Sequence, residues 1–217
     1  MFHTVDNCCI QDARNQAALR VLETDCDGLL FIDSDQTFPY NALDKLIECK
    51  KDIIGYPIVR KSAPYYPNIS RWDNEKKDYV IYESYPENNL FKVDYIGMGF
   101  TYIRREVLEK LSMPFFDFVW FDINQKEKLD DKIVRSQGLI EEKQVDGSYK
   151  YKRMMGEDVY FCRKAKEAGF EIWANPFEQI GHIGNFNYMP SLYRNFERVK
   201  QSRLAKEGKD DANGVNK

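Results

Sequence analysis

The 217-residue chain has no apolar run near the roughly 18–20 residues that cross a bilayer, and its N-terminus lacks the charged-then-apolar layout of a secretory signal. No transmembrane segment is therefore expected. Charge of one sign is missing as well. A formal net charge of −3 gives no electrostatic reason to bind nucleic acid or anionic membrane. Nor is there a cysteine framework. The five cysteines (Cys8, Cys9, Cys26, Cys49, Cys162) are odd in number and form no CxxC pair. That excludes a disulfide scaffold and a zinc knuckle, and it points to a reducing, cytoplasmic setting. Histidine is scarce, with two in the chain, and no internal repeat is visible.

What is present fits one globular domain. Apolar residues make up 43% and charged residues 31%, while aromatics reach 14%, which suits a sheet-rich fold or a site that handles sugars. A helix is predicted from Asp12, as N-cap, to about Thr24, with Ala17, Ala18, Val21 and Leu22 at helical spacing. Gly28 to Ile32 reads as a buried strand ending at Asp33. Asn41 to Lys50 reads as a helix and Asp52 to Val59 as a strand. Between Tyr65 and Val93 an antiparallel hairpin is predicted around Asp73–Lys77. Val93 to Ile103 is a strand interrupted by Gly97 and Gly99, followed by a short helix from Glu106 to Leu111. Residues 124–151 are polar and charged, with a hairpin signal at Asp146-Gly147, and are expected to form a long mobile loop. A helix from Glu157 to Ala168 is capped by Gly169, with a last strand at Phe170–Ala174. Tyr193 to Lys206 reads as a charged helix, and residues 207–217 as a disordered tail. Strands alternating with helices around one embedded hairpin give an α/β fold with a mixed central sheet, one domain over residues 1–206.

Four segments carry chemistry. Asp33-Ser34-Asp35 sets two carboxylates at the end of an apolar strand, where α/β proteins bind ligands and where oxygen donors can hold a divalent cation. The same triplet also reads as a solvated loop. Gly156-Glu157-Asp158 opens a helix, and the pair suits the helix dipole; it also suits proton abstraction from a hydroxyl, with one acid raising the pKa of the other. His182 lies between Gly181 and Gly184. An imidazole added to two carboxylates favours Mn²⁺ over Mg²⁺. Tyr95-Ile96-Gly97-Met98-Gly99-Phe100 carries glycines inside a strand, which mark either tight packing or close approach by a ligand.

In their order along the chain these segments resemble the GT-A glycosyltransferases, in particular the family 2-like group common in bacteria and their phages. The matching pieces are Ala13-Arg14-Asn15, Leu30-Phe31-Ile32-Asp33-Ser34-Asp35, Gly97-Met98-Gly99-Phe100 with Ile103-Arg104-Arg105-Glu106, Gly156 to Cys162, Ile172 to Pro176, and His182. The resemblance implies a nucleotide-sugar transferase of GT-A fold, using Mn²⁺ or Mg²⁺. It implies Asp33, Asp35 and His182 as metal ligands, Asp158 as catalytic base with Glu157 beside it for the acceptor, and Arg14, Asn15, Ser34, Gly97 and Gly99 on the donor. UDP- or GDP-sugar is the implied donor and a glycan or other hydroxyl compound the acceptor, with inversion at the anomeric carbon. Members of the group carry a strand, a helix and a second strand ahead of the Ala-Arg-Asn helix. Here only Met1 to Gln11 precede Asp12, so that unit is expected to be lacking. Two other readings are a non-catalytic sugar- or nucleotide-binding module of the same fold, and a phage enzyme that glycosylates modified DNA bases. The acidic balance of the chain speaks against the second.

Overall fold

The computed structural model describes residues 8–123 and 127–214. Helix α1 (Ile10–Leu22) starts earlier than expected. Cys9 is its N-cap, with the Cys9 carbonyl accepting from Ala13 N–H, and Asp12 sits in the first turn, where its charge complements the helix dipole. The apolar run forms β1 (Gly28–Ile32), followed by β2 (Gln36–Thr37), α2 (Ala42–Glu48) and β3 (Ile53–Gly55). The expected hairpin is β4 (Ile69–Asp73) paired antiparallel with β5 (Asp78–Ile81). The strand expected to break at its glycines becomes β6 (Phe91–Val93), β7 (Tyr95–Ile96) and β8 (Phe100–Arg104), and α3 (Arg105–Lys110) follows. Next come β9 (Val119–Ile123), α4 (Asp131–Ser136), β10 (Leu139–Lys143) and β11 (Tyr149–Met155). The chain continues with α5 (Glu157–Glu167), β12 (Ile172–Ala174), β13 (Gly181–Ile183), β14 (Asn187–Tyr188) and α6 (Pro190–Gly214). Gly169 has φ +93° and closes α5, as its sequence position requires.

The main sheet has the order β1-β8-β3-β12-β6. Only β3 and β12 run parallel in it, so the sheet is mixed. Alternation decides which face each side chain covers. Ile53, Ile103 and Ile172 pack on one face with Ala18 and Val21 of α1, Val107 of α3, and Phe161 and Ala165 of α5. Their neighbours Ile54, Tyr102 and Trp173 turn to the other face, against Ala42 and Leu46 of α2. Because β1 is an edge strand, it is half-buried rather than buried. Its unbroken apolar run arises because Leu29 and Phe31 contact the first cluster while Leu30 contacts the second.

Two expectations are corrected. The segment 124–151 is no structureless loop, although residues 124–126 lie outside the described residues. From Asp131 on it forms α4 and then the hairpin β10–β11, with β9 pairing on the far side of β11. Gly147 has φ +85° at the turn. Leu139, Tyr151 and Met155 are buried there. Their period-2 pattern is hidden in the sequence because the intervening positions are charged and pair across strands, as Lys150 does with Asp122 and Lys152 with Glu142. The tail is helical through Gly214 as a continuation of α6; residues 215–217 lie outside the described residues. Among the described residues, no helix is long and apolar enough to cross a membrane.

Candidate active site

Asp33 leaves the end of β1 with its N–H donating to the Gly99 carbonyl at 2.9 Å. Gly99 is glycine for a steric reason. A Cβ there would lie 3.1 Å from Asp33 Oδ2 and 3.0 Å from Ile58 Cδ1, so a side chain would push the carboxylate away. The chain then turns through Ser34 into β2, which pairs with β13 and sets His182 opposite Gln36. Ile183 N–H donates to the Asp35 carbonyl at 2.7 Å, fastening the two segments side by side. Gly181 permits this approach, because a Cβ would fall 2.2 Å from Thr37 Oγ1. Strand pairing thus carries a histidine from the end of the fold to the first acidic motif.

His182 Nδ1 lies 2.9 Å from the Val59 carbonyl. A carbonyl can only accept, so Nδ1 donates to it and Nε2 is the nitrogen turned toward Asp35. Nε2 lies 3.3 Å from Asp35 Oδ2, which also accepts a hydrogen bond from Lys61 Nζ at 2.5 Å. Burial pushes the Asp35 carboxyl up, but the Lys61 hydrogen bond and the His182 and Lys61 charges outweigh it and hold the group below its usual value. Asp33 goes the other way. Burial raises it, the Arg14 charge opposes that, and Asp35 adds to the rise.

Arg14 is 7% exposed and bridges two acids. Its Nη1 donates to Glu157 Oε1, and its Nη2 lies 3.7 Å from Asp33 Oδ1. Glu157 is itself buried, and burial lifts its carboxyl above the usual range against the pull of Arg14. Asp158 stands at the start of α5, where Oδ1 accepts from Val159 N–H at 2.8 Å and Oδ2 from the Tyr95 hydroxyl at 2.8 Å. The Tyr95 phenol is pushed well above its ordinary pKa by burial and by the Asp158 charge, so it stays protonated as the donor.

These groups meet at one cavity of about 180 Å³, whose lining includes Arg14, Asp33, Gly97, Gly99, Asp158 and His182. Six residues singled out in the sequence therefore converge. Asp35 stands beside it, against His182. Three others do different things. The Asn15 amide is spent on the backbone, accepting from Phe115 N–H at 2.8 Å and Phe116 N–H at 3.0 Å and donating to the Phe116 carbonyl at 2.7 Å. Ser34 is exposed at the turn and does not line the cavity. Glu157 faces Arg14 instead of open space, so its carboxylate orients that guanidinium and is not free for an acceptor. Sequence reasoning missed Gln36, Arg60, Asn68 and the Tyr95 hydroxyl in the lining. Only Tyr95 had a signal, since it opens the glycine-interrupted run.

A cation fits the donor chemistry here in part. His182 Nε2 and the Asp35 carboxylate face one another, Asp33 is near, and Gln36 Oε1 is buried without a hydrogen-bond partner among the described residues. Against this, no three His, Cys, Asp or Glu side chains among the described residues already stand at metal-holding geometry, and an ammonium from Lys61 occupies the carboxylate. Asp35 and His182 are the residues that would hold an ion, once Lys61 withdraws.

No protein-family model matches the chain, and no curated protein matches it. Among solved structures the chain is similar to the crystal structure of A197 from STIV, with 20% identity, a TM-score of 0.48, and an alignment covering 82% of this chain and 69% of that one. A likeness of that size identifies neither a fold family nor an activity.

Proposed function

We propose that the chain is a glycosyltransferase of GT-A type, transferring a sugar from a UDP- or GDP-sugar to a hydroxyl acceptor with inversion. The observation that carries this reading is the convergence of Arg14, Asp33, Asp158 and His182, which the sequence keeps far apart, on one cavity that Gly97 and Gly99 also line. Asp158 is the base. It takes the proton of the acceptor hydroxyl as that oxygen bonds to the anomeric carbon. The bond from that carbon to the diphosphate breaks, and the electron pair leaves with the diphosphate. Tyr95 holds one carboxylate oxygen of Asp158 in place. Arg60 lines the cavity with no carboxylate in salt-bridge range among the described residues, so its guanidinium is free for phosphate oxygens. A divalent ion bound by Asp35 and His182 would add charge neutralisation of the leaving group.

The test is Asp158→Asn, which keeps the shape and removes the proton acceptor. With UDP- or GDP-sugar donors and a working acceptor, turnover should fall about 10²–10⁴-fold while nucleotide binding stays within twofold or so. Near-normal turnover would remove Asp158 as base. Absence of both nucleotide binding and transfer in the wild type would remove the transferase reading.

A further inference from the structure

Outside the candidate active site, a cavity of about 510 Å³ opens where the β4–β5 hairpin meets α5, lined by Trp72, Asn74, Tyr79, Asp94, Arg163, Lys166 and Glu167. A second cavity of about 310 Å³ adjoins it, shares Arg163 and Glu167, and brings in the rings of Phe121 and Tyr160. Together they form a groove along the outer face of α5 with aromatic rings at both ends.

Several contacts tie its walls together. Trp72 N–H donates to Asp94 Oδ2 at 2.7 Å, and Lys166 pairs with Asp94, so the hairpin is tied to the helix. The Trp72 ring meets Tyr79 edge to face with centroids 5.1 Å apart. On the groove floor Arg163 Nε donates to Glu167 Oε1 at 2.8 Å, and the guanidinium lies 4.7 Å from the Phe121 centroid.

The chemistry selects an occupant. Arg163 is paired with Glu167 and Lys166 with Asp94, and the third cation, Lys164, is turned onto the Ser112 and Pro114 carbonyls, so the surface offers no unengaged cation to a phosphate or an acidic peptide. It is also too polar for an apolar helix. Aromatic faces beside planar carboxylate, guanidinium and amide groups match a neutral ligand with C–H faces and many hydroxyls. Among the described residues the Trp72 indole N–H and the Asn74 amide have no protein partner, which leaves donors for those hydroxyls.

We infer that this groove is an oligosaccharide-binding subsite, which holds the distal part of a glycan acceptor. The link to an acceptor rests on the transferase reading; the sugar binding itself does not. Tyr79 packs on Tyr95 with centroids 6.2 Å apart, and Tyr95 bonds Asp158. Lys166 lies two turns beyond Asp158 on α5, about 12 Å at 1.5 Å per residue, the reach of a short oligosaccharide rather than a single sugar.

The experiment is calorimetry of the full chain with neutral hexasaccharides (cellohexaose, maltohexaose and chitohexaose), beside a ¹H–¹⁵N spectrum that watches the Trp72 indole N–H. At least one should bind and shift that indole signal. Trp72→Ala should weaken binding about tenfold or more, and Trp72→Phe should recover most of it. Wild-type protein that binds none of the three, or an indole signal unmoved on saturation, would overturn the inference. Hexasaccharide binding that depends on Trp72 in a chain that binds no nucleotide would uphold the groove and defeat the transferase reading instead.

Discussion

Arg14 shows how one side chain can serve stability and chemistry together. It is buried between Glu157 and the half-exposed Asp33, and its charge offsets the burial of the Glu157 carboxylate. Removing it strands a buried carboxylate. Arg14→Met should therefore cost about 3–5 kcal/mol, and adding Glu157→Gln should return a good part of that. Urea denaturation of the two variants checks this, and a double variant no more stable than Arg14→Met would contradict it. Asp33 makes a different expectation. Burial raises its carboxyl above the usual value, with Arg14 opposing. An acid raised on folding contributes its stability below the unfolded pKa and loses it as pH rises through the folded one. Ionised Asp33 thus destabilises the free protein at neutral pH. Asp33→Asn, which never ionises, should melt higher than wild type at pH 7, and the gap should close as pH falls to about 4. Melting curves across that range measure it; a gap that widens on acidification would reverse the sign.

At the scale of elements, the site is assembled by strand ends and a helix start. β1 ends at Asp33, α5 starts beside Asp158, and the β2–β13 pairing supplies His182. Asn15 contributes from further back. Its side chain makes all three of its bonds to the Phe115–Phe116 backbone, fixing α1 against the segment that enters β9. Phe116 in turn stacks on Phe161 of α5 at 4.7 Å between centroids, so α1, this segment and α5 hold one another in register. Asn15→Ala would leave two buried N–H groups and a carbonyl without partners. A loss of about 3 kcal/mol or more in unfolding free energy is expected, read from the denaturant midpoint. A loss below about 1 kcal/mol would show that the segment finds other partners.

For the whole molecule, the expected outcome is coupling between ligands. Mn²⁺ with UDP or GDP should raise the melting temperature, with about 2.7 kcal/mol of added stability at a hundred times the dissociation constant. Asp35→Ala should abolish the part that needs Mn²⁺, while Lys61→Met should strengthen Mn²⁺ binding about two- to fivefold by removing the competing ammonium. Equal shifts in wild type and Asp35→Ala would take Asp35 out of the ion site. Much of this architecture was legible in the sequence. The apolar run before Asp33, the glycine after α5, the Asp146-Gly147 turn and the hairpin around Asp73–Lys77 are local signals, set by backbone propensity and side-chain period within a few residues. The strands of 139–155 were hidden, because ion pairs across strands put charges where alternation would have shown. Tertiary structure alone decided that His182 meets Asp35, that Glu157 turns to Arg14, that Tyr95 holds Asp158 and that Lys61 reaches Asp35. Each of these depends on which strand or helix lies beside which, and a one-dimensional pattern fixes the faces of an element without fixing its neighbours.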